Sequence, residues 1–162
     1  MKFQFVTQLS EIENKATDII ICNLKNEKVK LNEDITASNI IQYLISTSIN
    51  LQCLIFAYIT CVYETTETKS VAIISNGTLI DIYEEKDIET KFNLISYDTR
   101  IGKVAILVES DIYNKNIIYA YEAKNTDLLL VFLNEYNKND FYSLNCNLPY
   151  ILIANEEIFT SK

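Results

Sequence analysis

The chain has 162 residues, 49% hydrophobic and 22% charged, a composition that supports a folded core and excludes a disordered segment. Its formal net charge of -8 repels phosphate backbones and anionic lipid, so neither nucleic acid nor a membrane surface is an expected partner. With no histidine, Ser–His and Cys–His nucleophile pairs and the usual zinc sites are absent; two glycines and one proline leave no phosphate-cradling loop, and no cofactor is expected.

The N-terminal KFQFV (Lys2–Val6) alternates as a half-buried strand does. About ten polar residues follow before TDIIIC (Thr17–Cys22), a continuous apolar run of the kind buried on both faces. KNEKVKLNED (Lys25–Asp34) is the most charged stretch and reads as a surface excursion. From Thr36, Ile40, Ile41, Leu44, Ile45 and Ile49 fall at helical spacing, predicting an amphipathic helix to about Asn50 with Asp34 or Thr36 at its start. LQCLIFAYITCVYE (Leu51–Glu64) predicts a long strand. KSVAIISNGTLIDIYEE (Lys69–Glu85) predicts a hairpin, because Asn76-Gly77 can take the two left-handed conformations of a type I′ turn.

Lys86–Arg100 is polar and irregular, and KVAILVE (Lys103–Glu109) is a core strand ending on a carboxylate. A helix from about Lys115 to Lys124 follows, with Asn125 placed to end it. DLLLVFLN (Asp127–Asn134) predicts a buried strand, Asp140–Asn147 a short helix, and PYILIAN (Pro149–Asn155) a last core strand. The second half thus alternates strand and helix with continuously apolar strands, which favours parallel strands covered by helices. No repeat, linker or low-complexity tract interrupts residues 1–162, so one α/β domain is expected. No apolar run reaches the roughly 18–20 residues that span a bilayer, and MKFQFVTQLSE lacks the layout of a secretion signal; a cytoplasmic protein is expected. The four cysteines are too sparse for a disulfide scaffold; Cys53 and Cys61 flank LIFAYIT as small apolar core residues, Cys146 reads as structural, and Cys22 has no histidine to activate it.

Taken in order, these segments resemble the nitrilase, or carbon–nitrogen hydrolase, superfamily. MKFQFVTQL and ATDIIICNL resemble its first two strands, SVAIISNGTLIDIYEEKDI its hairpin, and RIGKVAILVESDIY the glycine-led strand that delivers the nucleophile. NTDLLLVFLN and NCNLPYILIAN resemble the strand, helix and strand that follow, and the Gly102 and Asp127 segments match best. The resemblance implies a shortened, degenerate member: an α-β-β-α sandwich of mixed sheets covered by helices, lacking terminal strands.

The family's chemistry rests on a Glu–Lys–Cys triad, in which glutamate is the base, cysteine attacks the carbon and lysine steadies the charged intermediate. Carried over by position, the base falls at Leu24, with Asn23 in place of a proline. The lysine falls at Glu85, with Lys86 one residue away, and the cysteine at Glu109, followed by Ser110 and Asp111. Leu24, Glu85, Lys86, Glu109 and Asp111 are therefore expected to mark a vestigial pocket without a catalytic residue. Two readings follow. One is a catalytically silent protein that acts by binding or by association with other proteins; the alternative is a residual or altered amide or nitrile hydrolase that uses Lys86 and Glu109, or a cysteine. Active members pair through the helices after the nucleophile strand, so Tyr113, Ile117, Ile118 and Tyr121 form the candidate interface of a homodimer, or of a heterodimer with a longer relative.

Overall fold

The strands that are apolar without alternation are those buried on both faces, and they form the centre of each sheet. A computed structural model describes residues 2–31, 34–85, 95–136, 144, 146–155 and 157–161. The chain divides into two compact units, Met1–Glu84 and Glu85–Lys162.

In the first unit β1 (Phe3–Val6), β2 (Ile19–Lys30) and β3 (Leu54–Tyr63) pair in parallel, and β4 (Thr66–Ser75) and β5 (Thr78–Glu84) continue the sheet antiparallel. One helix, α1 (Asn39–Leu51), makes the crossover between β2 and β3. Its Ile41 and Leu44 pack with Ile20, Cys22 and Leu24 of β2, Ile55, Ala57 and Ile59 of β3, and Ala72 and Ile74 of β4. On the other face of β3, Phe56 and Tyr58 are also fully buried, which is why LIFAYIT shows no polar alternation.

Two boundaries differ from the expectation. The charged stretch after Cys22 is strand as far as Lys30: a bulge between Asn23 and Lys28 shifts the register, and Val29 then enters the core opposite Cys61 while Lys28 pairs with Glu67 outside. Secondly, α1 starts later than Thr36, because Asp34 caps a separate 3-10 turn at Ile35–Ala37, accepting from Thr36 N at 3.0 Å. The helix ends on Gln52, which is left-handed (φ 51), so β3 begins at Leu54.

The hairpin turn is as read from Asn76-Gly77, with φ values of 48 and 75. It is anchored to α1, since Gly77 N donates to Ser48 Oγ at 2.8 Å.

In the second unit β7 (Gly102–Val108), β8 (Leu128–Phe132) and β9 (Tyr150–Ala154) are neighbours and parallel, as expected for the three core strands. The antiparallel strands β6 (Ser96–Thr99) and β10 (Glu157–Thr160) flank them; neither was foreseen, since each is only four residues long and lies beside polar sequence. A helix, α2 (Lys115–Ala123), covers one face, with Ile117, Ile118 and Tyr121 against Ala105, Leu107, Leu129 and Val131. The helix expected at Asp140–Asn147 lies largely outside the described residues; Leu144, Cys146 and Asn147 are not helical.

Gly102 opens β7 with φ 111, and a Cβ there would lie 2.6 Å from Asp127 Oδ2, an atom tied to Lys103 N at 2.7 Å. A Cβ on Gly77 would meet only the side chain of Ile49, which is 57% exposed and can rotate away. Gly77→Ala should therefore lower stability by about 1–2 kcal/mol, the left-handed penalty alone. Gly102→Ala should lower it clearly further; urea unfolding of both variants gives the ranking.

Candidate functional site

Val104 to Val108 are all fully buried, and the chain must leave this strand abruptly. It does so at Glu109, whose φ of 50 is left-handed for a residue with a side chain, a conformation that costs about 1–2 kcal/mol. A 3-10 turn over Glu109–Tyr113 follows directly, and α2 begins two residues later. A buried strand, one strained residue and a helical turn make the backbone geometry of a nucleophile elbow.

Three carboxylates hold this elbow. Asp111, 1% exposed, folds back so that Oδ2 accepts from Val108 N at 3.0 Å, closing the turn on itself. Glu109 turns toward the end of β8, where its Oε1 accepts from Asn134 N at 2.8 Å. Glu85, an exposed residue just after β5, is 25 positions away in sequence, yet its Oε1 accepts from Ser110 N at 2.9 Å and from the Ser110 hydroxyl. The Asn134 and Ser110 contacts were not foreseeable, because each joins a side chain to a main-chain group on another segment.

The structure therefore brings Glu85, Glu109 and Asp111 together. Leu24 belongs to the first unit, where it is 3% exposed in the core, its apolar side chain spent on packing. Lys86 lies outside the described residues. Of the four residues read as an interface, Ile117, Ile118 and Tyr121 are 2% exposed or less and Tyr113 is 56% exposed. The apolar stripe of α2 faces its own sheet instead of a partner. Helical spacing gave that stripe correctly, but spacing does not say which surface it meets. The exposed aromatic residues of this region are Tyr113 and Tyr119.

Thiol chemistry has little access. Cys22, Cys53 and Cys61 are buried. Burial pushes the thiol of Cys22 well above the ordinary range and raises that of Cys61. Cys146 is half-buried; burial raises its pKa too, although its hydrogen bond to Leu148 O (3.6 Å) partly offsets this. Among the described residues no group of three or more His, Cys, Asp or Glu side chains could hold a metal ion, and no helix is long and apolar enough to cross a membrane. The side chains of Asn23 and Thr126 each carry buried polar atoms without a hydrogen-bond partner among the described residues.

Two variants separate the roles of the carboxylates. Asp111→Ala should destabilise the fold by about 1–3 kcal/mol, because it leaves the buried Val108 N–H unpaired. Glu85→Ala, at an exposed position, should stay within about 1 kcal/mol of the unmodified protein in the same unfolding assay. In thiol titration of the native protein Cys146 should react first. The other three should be modified only on unfolding.

No protein-family model and no curated protein sequence matches this chain. Solved structures do. Saccharomyces cerevisiae Nit3, a member of branch 10 of the nitrilase superfamily, superposes with a TM-score of 0.65 at 12% identity, over 85% of this chain and 62% of that one. A carbon–nitrogen hydrolase from Helicobacter pylori G27 gives a TM-score of 0.55 at 11% identity, over 85% and 61%. A superfamily protein from Xanthomonas campestris, with an arsenic adduct in its active site, gives 0.60 at 9% identity, over 93% and 69%. The chain thus has a nitrilase-like α/β fold, and it spans less than two thirds of the length of the first two of these structures.

Proposed function

We propose that this chain is a catalytically silent, degenerate member of the nitrilase superfamily, a cytoplasmic protein that acts by binding and by association with other proteins. The observation that carries the reading is Glu109. At the one strained residue of the elbow stands a carboxylate already engaged by Asn134 N, where covalent amide chemistry needs a thiol. A carboxylate is a far weaker nucleophile than a thiolate toward an amide, and its acyl product would be an anhydride. The thiols of this chain support the same reading, since three of the four are buried.

Association is the second part of the proposal. The partner is a second copy or a longer relative, and at -8 per chain it must be joined by apolar contact against modest charge repulsion. With the inner face of α2 spent on its own core, the surface proposed for pairing centres on the exposed Tyr113 and Tyr119.

Purified protein should release no ammonia from a panel of small amides and nitriles. Turnover that survives replacement of all four cysteines by serine would reveal a carboxylate mechanism and sink the silent reading. Light scattering at micromolar concentration should give a mass above that of one chain. Replacing Tyr113 and Tyr119 by lysine should return it to a single-chain mass without loss of the folded signal. A clean monomer of the unmodified protein would rule out self-association and leave only the longer relative.

A further inference from the structure

We infer that Glu85 is an internal blocking group: its carboxylate occupies the place at the elbow where a reaction oxyanion would have to sit, so a thiol at position 109 would not by itself restore acyl chemistry. The inference rests on the silent reading of the elbow and concerns a different residue. In elbow chemistry the main-chain N–H of the residue after the nucleophile stabilises the developing oxyanion, from a donor distance of about 2.7–3.1 Å. That residue here is Ser110, and the oxygen at 2.9 Å from its nitrogen is Glu85 Oε1. The same oxygen accepts from the Ser110 hydroxyl, so both donors are directed at one carboxylate atom.

The block is electrostatic as well as steric. A carboxylate stands where negative charge would have to develop, and its proximity would also oppose a thiolate at position 109. The exposed position of Glu85 means that packing does not demand it there, so its removal should leave the elbow standing on Asp111 and Val108.

The test uses the full chain in a Cys146→Ser background, with 4-nitrophenyl acetate as the probe. In Glu109→Cys the thiol loses its proton to water, sulfur attacks the carbonyl carbon, the ester C–O bond breaks, and 4-nitrophenolate leaves an acetyl thioester. Glu109→Cys alone should acylate slowly. Glu109→Cys with Glu85→Ala, which removes both the charge and the acceptor, should acylate at least about tenfold faster, with its rate–pH profile displaced to lower pH. Equal rates and equal profiles for the two proteins would overturn the inference.

A second measurement avoids position 109 altogether: in Glu85→Ala alone, the Ser110 amide should exchange with solvent about tenfold faster than in the unmodified protein. Undiminished protection there would also overturn it. Ammonia release from amides or nitriles by the unmodified chain would instead overturn the silent reading beneath it, which keeps the two failures distinct.

Discussion

A strand buried on both faces can end only where its last main-chain groups find partners and the chain can turn away. At β7 that requirement falls on three residues. Val108 is fully buried, and its N–H is taken by the carboxylate of Asp111 three residues later. Glu109 between them absorbs the change of direction in a left-handed conformation. The start of α2 follows from this turn, and with it the placement of Ile117, Ile118 and Tyr121 over β7 and β8. A buried N–H left unpaired costs about 1–3 kcal/mol, comparable with the strain at Glu109, so the two features have to be maintained together.

The same turn places the groups on which the proposed function rests. An elbow is useful to an enzyme because its strain lifts one side chain out and leaves main-chain donors free behind it. Here the lifted side chain is an acid bonded to Asn134 N, and the donors of Ser110 are bonded to Glu85. On the proposed reading the turn is kept while both the side chain at its apex and the donors behind it are satisfied internally. Hydrogen bonds of this kind stabilise modestly and charge-assisted ones somewhat more, so both contacts also help hold the turn.

Fold and function separate cleanly in such a case. The likeness to Nit3 and to the Helicobacter pylori hydrolase spans most of this chain at 12% and 11% identity, which speaks to how apolar strands and crossover helices pack. What the site does depends on a handful of residues that this packing does not constrain. Glu85 is exposed, and nothing in the core requires a particular residue there.

By itself the sequence determined which segments are strands buried on both faces, where the Asn76-Gly77 turn falls, and that the chain after Val108 ends its strand on a carboxylate. These are local matters, carried by hydrophobic period and by turn chemistry. It determined the apolar stripe of α2 as well, but not its destination, because a periodic apolar face looks the same whether it meets its own sheet or a partner. Tertiary structure alone decided the rest. Val29 was drawn into the first core by a bulge opposite Cys61, so a charged stretch became strand. The four-residue strands β6 and β10 form because a neighbouring strand offers them hydrogen bonds that their own sequence does not signal. Glu85 reaches Ser110 across 25 positions through a main-chain N–H, a donor that every non-proline residue possesses and that no pattern of side chains can mark.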